Sequence, residues 1–84
     1  AVSAGRELYL GLLGDSTGTL TNDQTQVAVS TSGCIILGSL GGVISNFTMN
    51  TSGASDVLVH LLAVADNVWA IIHERGDVND DTVV

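Results

Sequence analysis

The chain has 84 residues, enough for one small domain, and two basic against nine acidic side chains give a formal charge of -7. A surface that tracks nucleic-acid phosphates needs clustered Lys and Arg, so Arg6 and Arg75 alone exclude one and also disfavour anionic membranes. Apolar residues make up 45% and charged residues 13%, too few charges to coat a lone small domain, so identical neighbours are expected to cover part of it.

Taken in order, Ala1 to Gly5 is small and reads as a loose or neighbour-docked segment. No charged-then-apolar leader opens the sequence, and no run approaches the roughly 18 apolar residues of a spanning helix. Arg6 to Leu13 alternates, with Leu8, Leu10 and Leu12 on one face and Tyr9, Gly11 and Leu13 on the other; flanking Gly5 and Gly14 favour a strand. Gly14 to Gly18 is dense in turn formers. Thr19 to Ser32 reads as one long polar strand or two short ones, with Val27 and Val29 facing a core in a row with Thr25 and Thr31. Cys34 to Leu37 is a short apolar strand in which Cys34 serves as a small buried hydrophobe. Gly38 to Gly42 is too glycine-rich for an element interior. Val43 to Asn50 is the next strand, with Val43, Ser45, Phe47 and Met49 opposite Ile44, Asn46, Thr48 and Asn50, and Thr51 to Ala54 turns the chain.

Ser55 to Arg75 is the central feature: two strands around a turn at Asp66-Asn67. Val57, Val59, Leu61 and Ala63 share one face of the first strand, and Leu58, His60, Leu62 and Val64 the other. In the second, Trp69, Ile71 and His73 are expected opposite Val68, Ala70, Ile72 and Glu74. Both faces are mostly apolar, so both need cover. Leu58, His60, Leu62, Trp69, Ile71 and His73 are therefore the expected subunit-interface residues. Gly76 to Asp81 is an acidic turn-rich stretch, and Thr82 to Val84 a short strand or docked tail. No window supports a capped helix. The fold expectation is all-β: a small antiparallel β-sandwich or barrel-like domain over residues 1–84, assembled as a trimer, with 1–5 and 77–84 as extended tails docking on neighbours.

The candidate chemistry is thin. Gly14-Asp15-Ser16-Thr17-Gly18 matches G-x-S-x-G and resembles the first block of GDS-type esterases, and Asp66 and His73 would complete a Ser-Asp-His order. A nucleophile elbow needs a strand-to-helix turn, whereas Thr19 to Ser32 is strand-like. The esterase D-x-x-H block also fails, because Ala70 precedes His73 by three residues and Val57 precedes His60 by three. No catalytic residue is assigned. His60 and His73 could meet a metal on a symmetry axis, but their spacing carries no ligand pattern, and interface or core side chains are the simpler reading. Asp77, Asn79, Asp80 and Asp81 do not follow the calcium-loop spacing and read as a solvated acidic tail. Asn46-Phe47-Thr48 and Asn50-Thr51-Ser52 are sequons that matter only in a eukaryotic secretory pathway. Trp69 reads as a core or interface anchor, since Tyr9, Phe47 and Trp69 form no ligand-binding ladder. No metal or cofactor is expected.

Ser55-Asp56-Val57-Leu58-Val59 opens a strand, Ala65-Asp66-Asn67-Val68-Trp69 forms a turn, and Ala70-Ile71-Ile72 returns. Upstream, Gly5 to Leu10 followed by Gly14 to Thr19 gives an ordered strand and a glycine-polar turn. This pattern resembles the small β domains of bacteriophage fibre, spike and capsid-decoration proteins, whose last hairpin carries a D-G-T-N-W-like turn. The turn glycine is missing here, with Asn67 or Val68 in its place. The resemblance implies a virion surface protein, usually a homotrimer sharing a core across its axis, partnered by a major capsid protein or another virion protein. Head decoration and tail fibre both fit. The competing classes are an adhesion or carbohydrate-binding β module and a subunit of an extracellular filament.

Overall fold

The computed structural model describes residues 2–13, 24–52 and 56–80. The described chain is all-β: β1 (Glu7–Leu12), β2 (Gln24–Ser30), β3 (Ile35–Leu37), β4 (Val43–Ile44), β5 (Asn46–Ser52), β6 (Val57–Ala65), β7 (Val68–Arg75) and β8 (Asp77–Asn79). The strands form two sheets, a five-stranded one ordered β1-β6-β7-β3-β4 and a three-stranded one ordered β2-β5-β8. All pairs are antiparallel except β3 with β7, which is parallel. The larger sheet is therefore mixed, which corrects the wholly antiparallel expectation.

The core lies between the sheets. Strict alternation on β6 sends Val57, Val59, Leu61 and Ala63 inward, all buried, because side chains of period two fall on one face. Phe47 and Met49 of β5 close on them from the second sheet, with Ile36, Ile44 and Ile71 completing the cluster. Phe47 is 0% exposed. Burial of a side chain of this size stabilises by about 1.5 to 3 kcal/mol.

Two departures from simple alternation decide which residues see the core. The expected strand Val43 to Asn50 is broken at Ser45, so that β4 ends one sheet and β5 starts the other. Ile44 and Phe47, three residues apart, consequently both point inward. In β7, His73 pairs with His60 while Ile71 pairs with Leu61, leaving Ile72 as an unpaired bulge. A bulge inverts the facing of everything beyond it. Trp69 and Ile71 therefore join the inner face and His73 the outer one, which corrects the expectation that all three share a face.

The hairpin turn lies where the sequence places it. Asn67 adopts φ 60, the left-handed conformation usually left to glycine. Its amide donates to the Val2 carbonyl (2.8 Å), and its side-chain oxygen accepts the Val2 amide (2.9 Å). Asp66 accepts the Ala4 amide at 3.0 Å. Residues 2–5 thus dock on their own hairpin. Residues 77–79 likewise are not a tail but the edge strand β8, paired to β5. Residues 81–84 lie outside the described residues.

Candidate functional site

The register of β1, β6 and β7 assembles the outer face of the larger sheet row by row. Gly11, Leu58 and Arg75 form one row, Tyr9, His60 and His73 the next, and Glu7, Leu62 and Ala70 a third. Leu37 extends the third row from Ala70, and Val43 follows Leu37. Ile35 and Val64 lie at the far end beside the hairpin turn. Tyr9, Ile35, Val43, Val64 and Ile72 are exposed, while Leu58, Leu62, Leu37 and Ala70 are half-buried by their neighbours alone. The result is an apolar area around Leu62, Ala70, Leu37 and Val43, beside a polar row of Tyr9, His60 and His73 that runs from β1 into the central strand β7, with Arg75 next to it.

That row is organised. The Glu7 carboxylate lies 3.0 Å from His60 Nε2 and accepts the Tyr9 hydroxyl at 3.2 Å. The Tyr9 ring stacks on the His60 ring with centroids 3.9 Å apart and planes within 16°. The His60 side chain keeps 17% of its exposure. Partial desolvation, then the hydrogen bond and charge of Glu7, raise the Tyr9 phenol above its ordinary range.

Of the six expected interface residues, the structure places Leu58, His60, Leu62 and His73 together on this face. Trp69 and Ile71 are instead directed to the core. Trp69 lines a cavity of about 190 Å³ between the sheets with Leu8, Leu10, Val29, Ile36, Phe47 and Leu61. Ser30 and Thr31 also line it, and no titratable group does.

Sequence reasoning missed a carboxyl pair at the other end of the sandwich. Glu74 lies on the inner face opposite Val59, and its carboxyl meets that of Asp80, which follows β8. Asp80 is 5% exposed, not the solvated tail residue expected. Its Oδ2 accepts the Ser39 amide at 2.9 Å, fastening the end of β8 to the turn between β3 and β4. Burial, then the hydrogen bond and charge of Asp80, push Glu74 up to about 7. Burial raises Asp80 as well, but the hydrogen bonds from Ser39 and Glu74 outweigh it and leave Asp80 below its ordinary range. Of the two carboxyls, Glu74 is therefore the one that holds a proton more readily. The only hint in the sequence was Gly38: any side chain there would overlap the Asp80 carbonyl.

The remaining candidates take structural places or lie outside the described residues. Cys34 is half-buried rather than a core side chain, with Sγ 4.0 Å from the Asn67 side-chain oxygen. Asp66 anchors the N-terminal segment. Ser16 and the GDSTG stretch lie outside the described residues, as do Thr82 to Val84. Among the described residues, no group of three or more His, Cys, Asp or Glu side chains is placed to hold a metal ion. No protein-family model, curated protein or solved structure matches this chain.

Proposed function

We propose that this protein is a non-enzymatic structural subunit that decorates or stabilises a virion surface as a homo-oligomer, a trimer by the reading of its sequence, against a major capsid protein or another virion protein. The observation that carries the proposal is the outer face of the five-stranded sheet. Five strands about 4.8 Å apart, the longest of them about 30 Å, present roughly 500 Å² per copy, so two faces bury about 1,000 Å², the lower bound for specific association. Apolar area adjoining polar groups suits such a contact. Glu7 and Arg75 place opposite charges on this face, so a second copy can meet it without unrelieved like-charge repulsion. The virion assignment rests on the hairpin, where Asn67 supplies the left-handed residue that the phage-type turn takes from glycine.

Light scattering on the purified protein at micromolar concentration tests the oligomer. Leu62→Asp, in the middle of the face, is expected to yield monomers with unchanged far-UV circular dichroism. Monomeric wild type would refute the proposal. Electron micrographs separate discrete assemblies from filaments, and filaments would favour the extracellular-fibre class instead.

A further inference from the structure

We propose that the cavity between the two sheets is a binding site for a small uncharged apolar molecule, about the size of one aromatic ring bearing a short alkyl group. The cavity lies on the inner side of the larger sheet, away from the outer face, and the proposal does not rest on assembly through that face. β1 and β2 are each the edge strand of their own sheet. Leu8 lies opposite Leu61 and Val27 opposite Met49, so both belong to inward-facing rows. Yet Leu8 is 43% and Val27 39% exposed, whereas Leu61 and Met49 are buried. The sandwich is therefore open along the side where these two edges lie. The cavity of about 190 Å³ reaches into the core from there. Its lining includes the exposed Leu8 and the buried Ile36, Phe47 and Leu61, so it connects the surface with the interior.

The lining selects the ligand. Both sheets contribute apolar side chains, and Phe47 and Trp69 bring aromatic rings. Another ring can meet these in offset or edge-on contacts. Among the described residues no titratable side chain lines the cavity, so a charged ligand would lose its water without gaining a counter-charge. Size narrows the class further. An apolar cavity of about 150 Å³ accepts benzene. The volume here, about 190 Å³, leaves room for a short substituent on the ring. Side chains that face a gap lack dispersion partners, and water entering an apolar space finds few hydrogen-bond partners. An apolar guest supplies the missing contacts and spares water the poor ones, and that is the source of its affinity.

Toluene is the probe, with benzoate and benzylamine as charged molecules of similar size. Toluene titrated into wild type is expected to change the emission of Trp69 saturably, since Trp69 is the only tryptophan and lines the cavity. At about ten times its dissociation constant, toluene should raise the melting temperature by about 5 to 10 °C. Benzoate and benzylamine should do neither. Methyl NMR shifts are expected at Leu8, Leu10 and Val29, and not at Leu58 and Leu62 of the outer face. Val29→Phe, which places a ring in the cavity, should abolish the response, and Leu62→Asp should keep it. The absence of a saturable response in wild type overturns the proposal, as do equal responses to the charged analogues. Methyl shifts confined to the outer face, or loss of the response in Leu62→Asp, would put the ligand on that face and overturn it too. A folded Val29→Phe that responds like wild type has the same consequence. Should Val29→Phe fail to fold, the methyl shifts of wild type decide.

Discussion

Replacing Glu74 by Gln should remove most of the pH dependence of stability above pH 5. Glu74 is raised from an ordinary value of 4.5 to about 7, chiefly by burial and then by Asp80. The folded state therefore holds a proton that the unfolded chain releases, and stability falls as pH rises between those two values. The full displacement corresponds to about 3 kcal/mol, and because Glu74 is only half-buried, solvent screening reduces this to about 2 to 3 kcal/mol. Asp80 has the opposite sign: its depressed folded value contributes stability that is complete above its ordinary 3.8 and is lost as pH falls below it. Maximum stability is thus expected near pH 4 to 5. In Glu74→Gln the amide can still donate to the Asp80 carboxylate but cannot ionise. Urea denaturation followed through the single Trp69, at concentrations low enough to keep the chain monomeric, should show wild type losing stability from pH 5 to 8. The variant should stay nearly level and be the more stable of the two at pH 8. Taking the difference between the two proteins at each pH cancels the histidines. A difference that does not grow with pH would refute the proton held on Glu74.

Substitutions at four further positions test the packing and the turns. Phe47→Ala should cost about 3 to 5 kcal/mol and Phe47→Leu well under half of that, because a fully buried ring leaves a cavity that two sheets cannot close. Gly38→Ala should be destabilising by about 1 to 3 kcal/mol, since the new methyl meets the Asp80 carbonyl and lies 3.4 Å from Ile44. Gly41→Ala meets open space and should cost only its left-handed strain, about 1 kcal/mol, so thermal melts that rank Gly41→Ala as the worse of the two contradict this geometry. Asn67→Gly keeps the left-handed turn and forfeits only the side-chain contacts with the Val2 amide and Cys34 Sγ, whereas Asn67→Ala loses those and strains the turn as well. Their expected costs are below about 1 and about 1 to 2 kcal/mol respectively, and a reversed order in calorimetry would show that the turn conformation is not what matters.

Local features were legible wherever a short-range rule governs them. The period-two pattern of Val57 to Val64 announced a strand with two apolar faces, and the structure buries the one carrying Val57, Val59, Leu61 and Ala63. Asp66-Asn67 marked the turn, and Gly38 to Gly42 marked the loop that joins β3 to β4. The Leu8, Leu10 and Leu12 row of β1 likewise faces the core side, opposite Leu61, Val59 and Val57. Alternation failed at Ser45 and Ile72, since a break and a bulge cost one residue of register that composition does not record. That one residue moved Trp69 and Ile71 into the core and left His73 outside.

The amino-acid sequence alone determined the β class, the central hairpin with its turn, and the excess of apolar surface over charge, because each depends on residues within a few positions or on simple counts. Tertiary structure alone decided that residues 2–5 and 77–80 belong to the fold, that the larger sheet is mixed, and that Glu74 and Asp80 come together. Those outcomes depend on which distant strands become neighbours, and a strand's sequence carries its facing but not its partner.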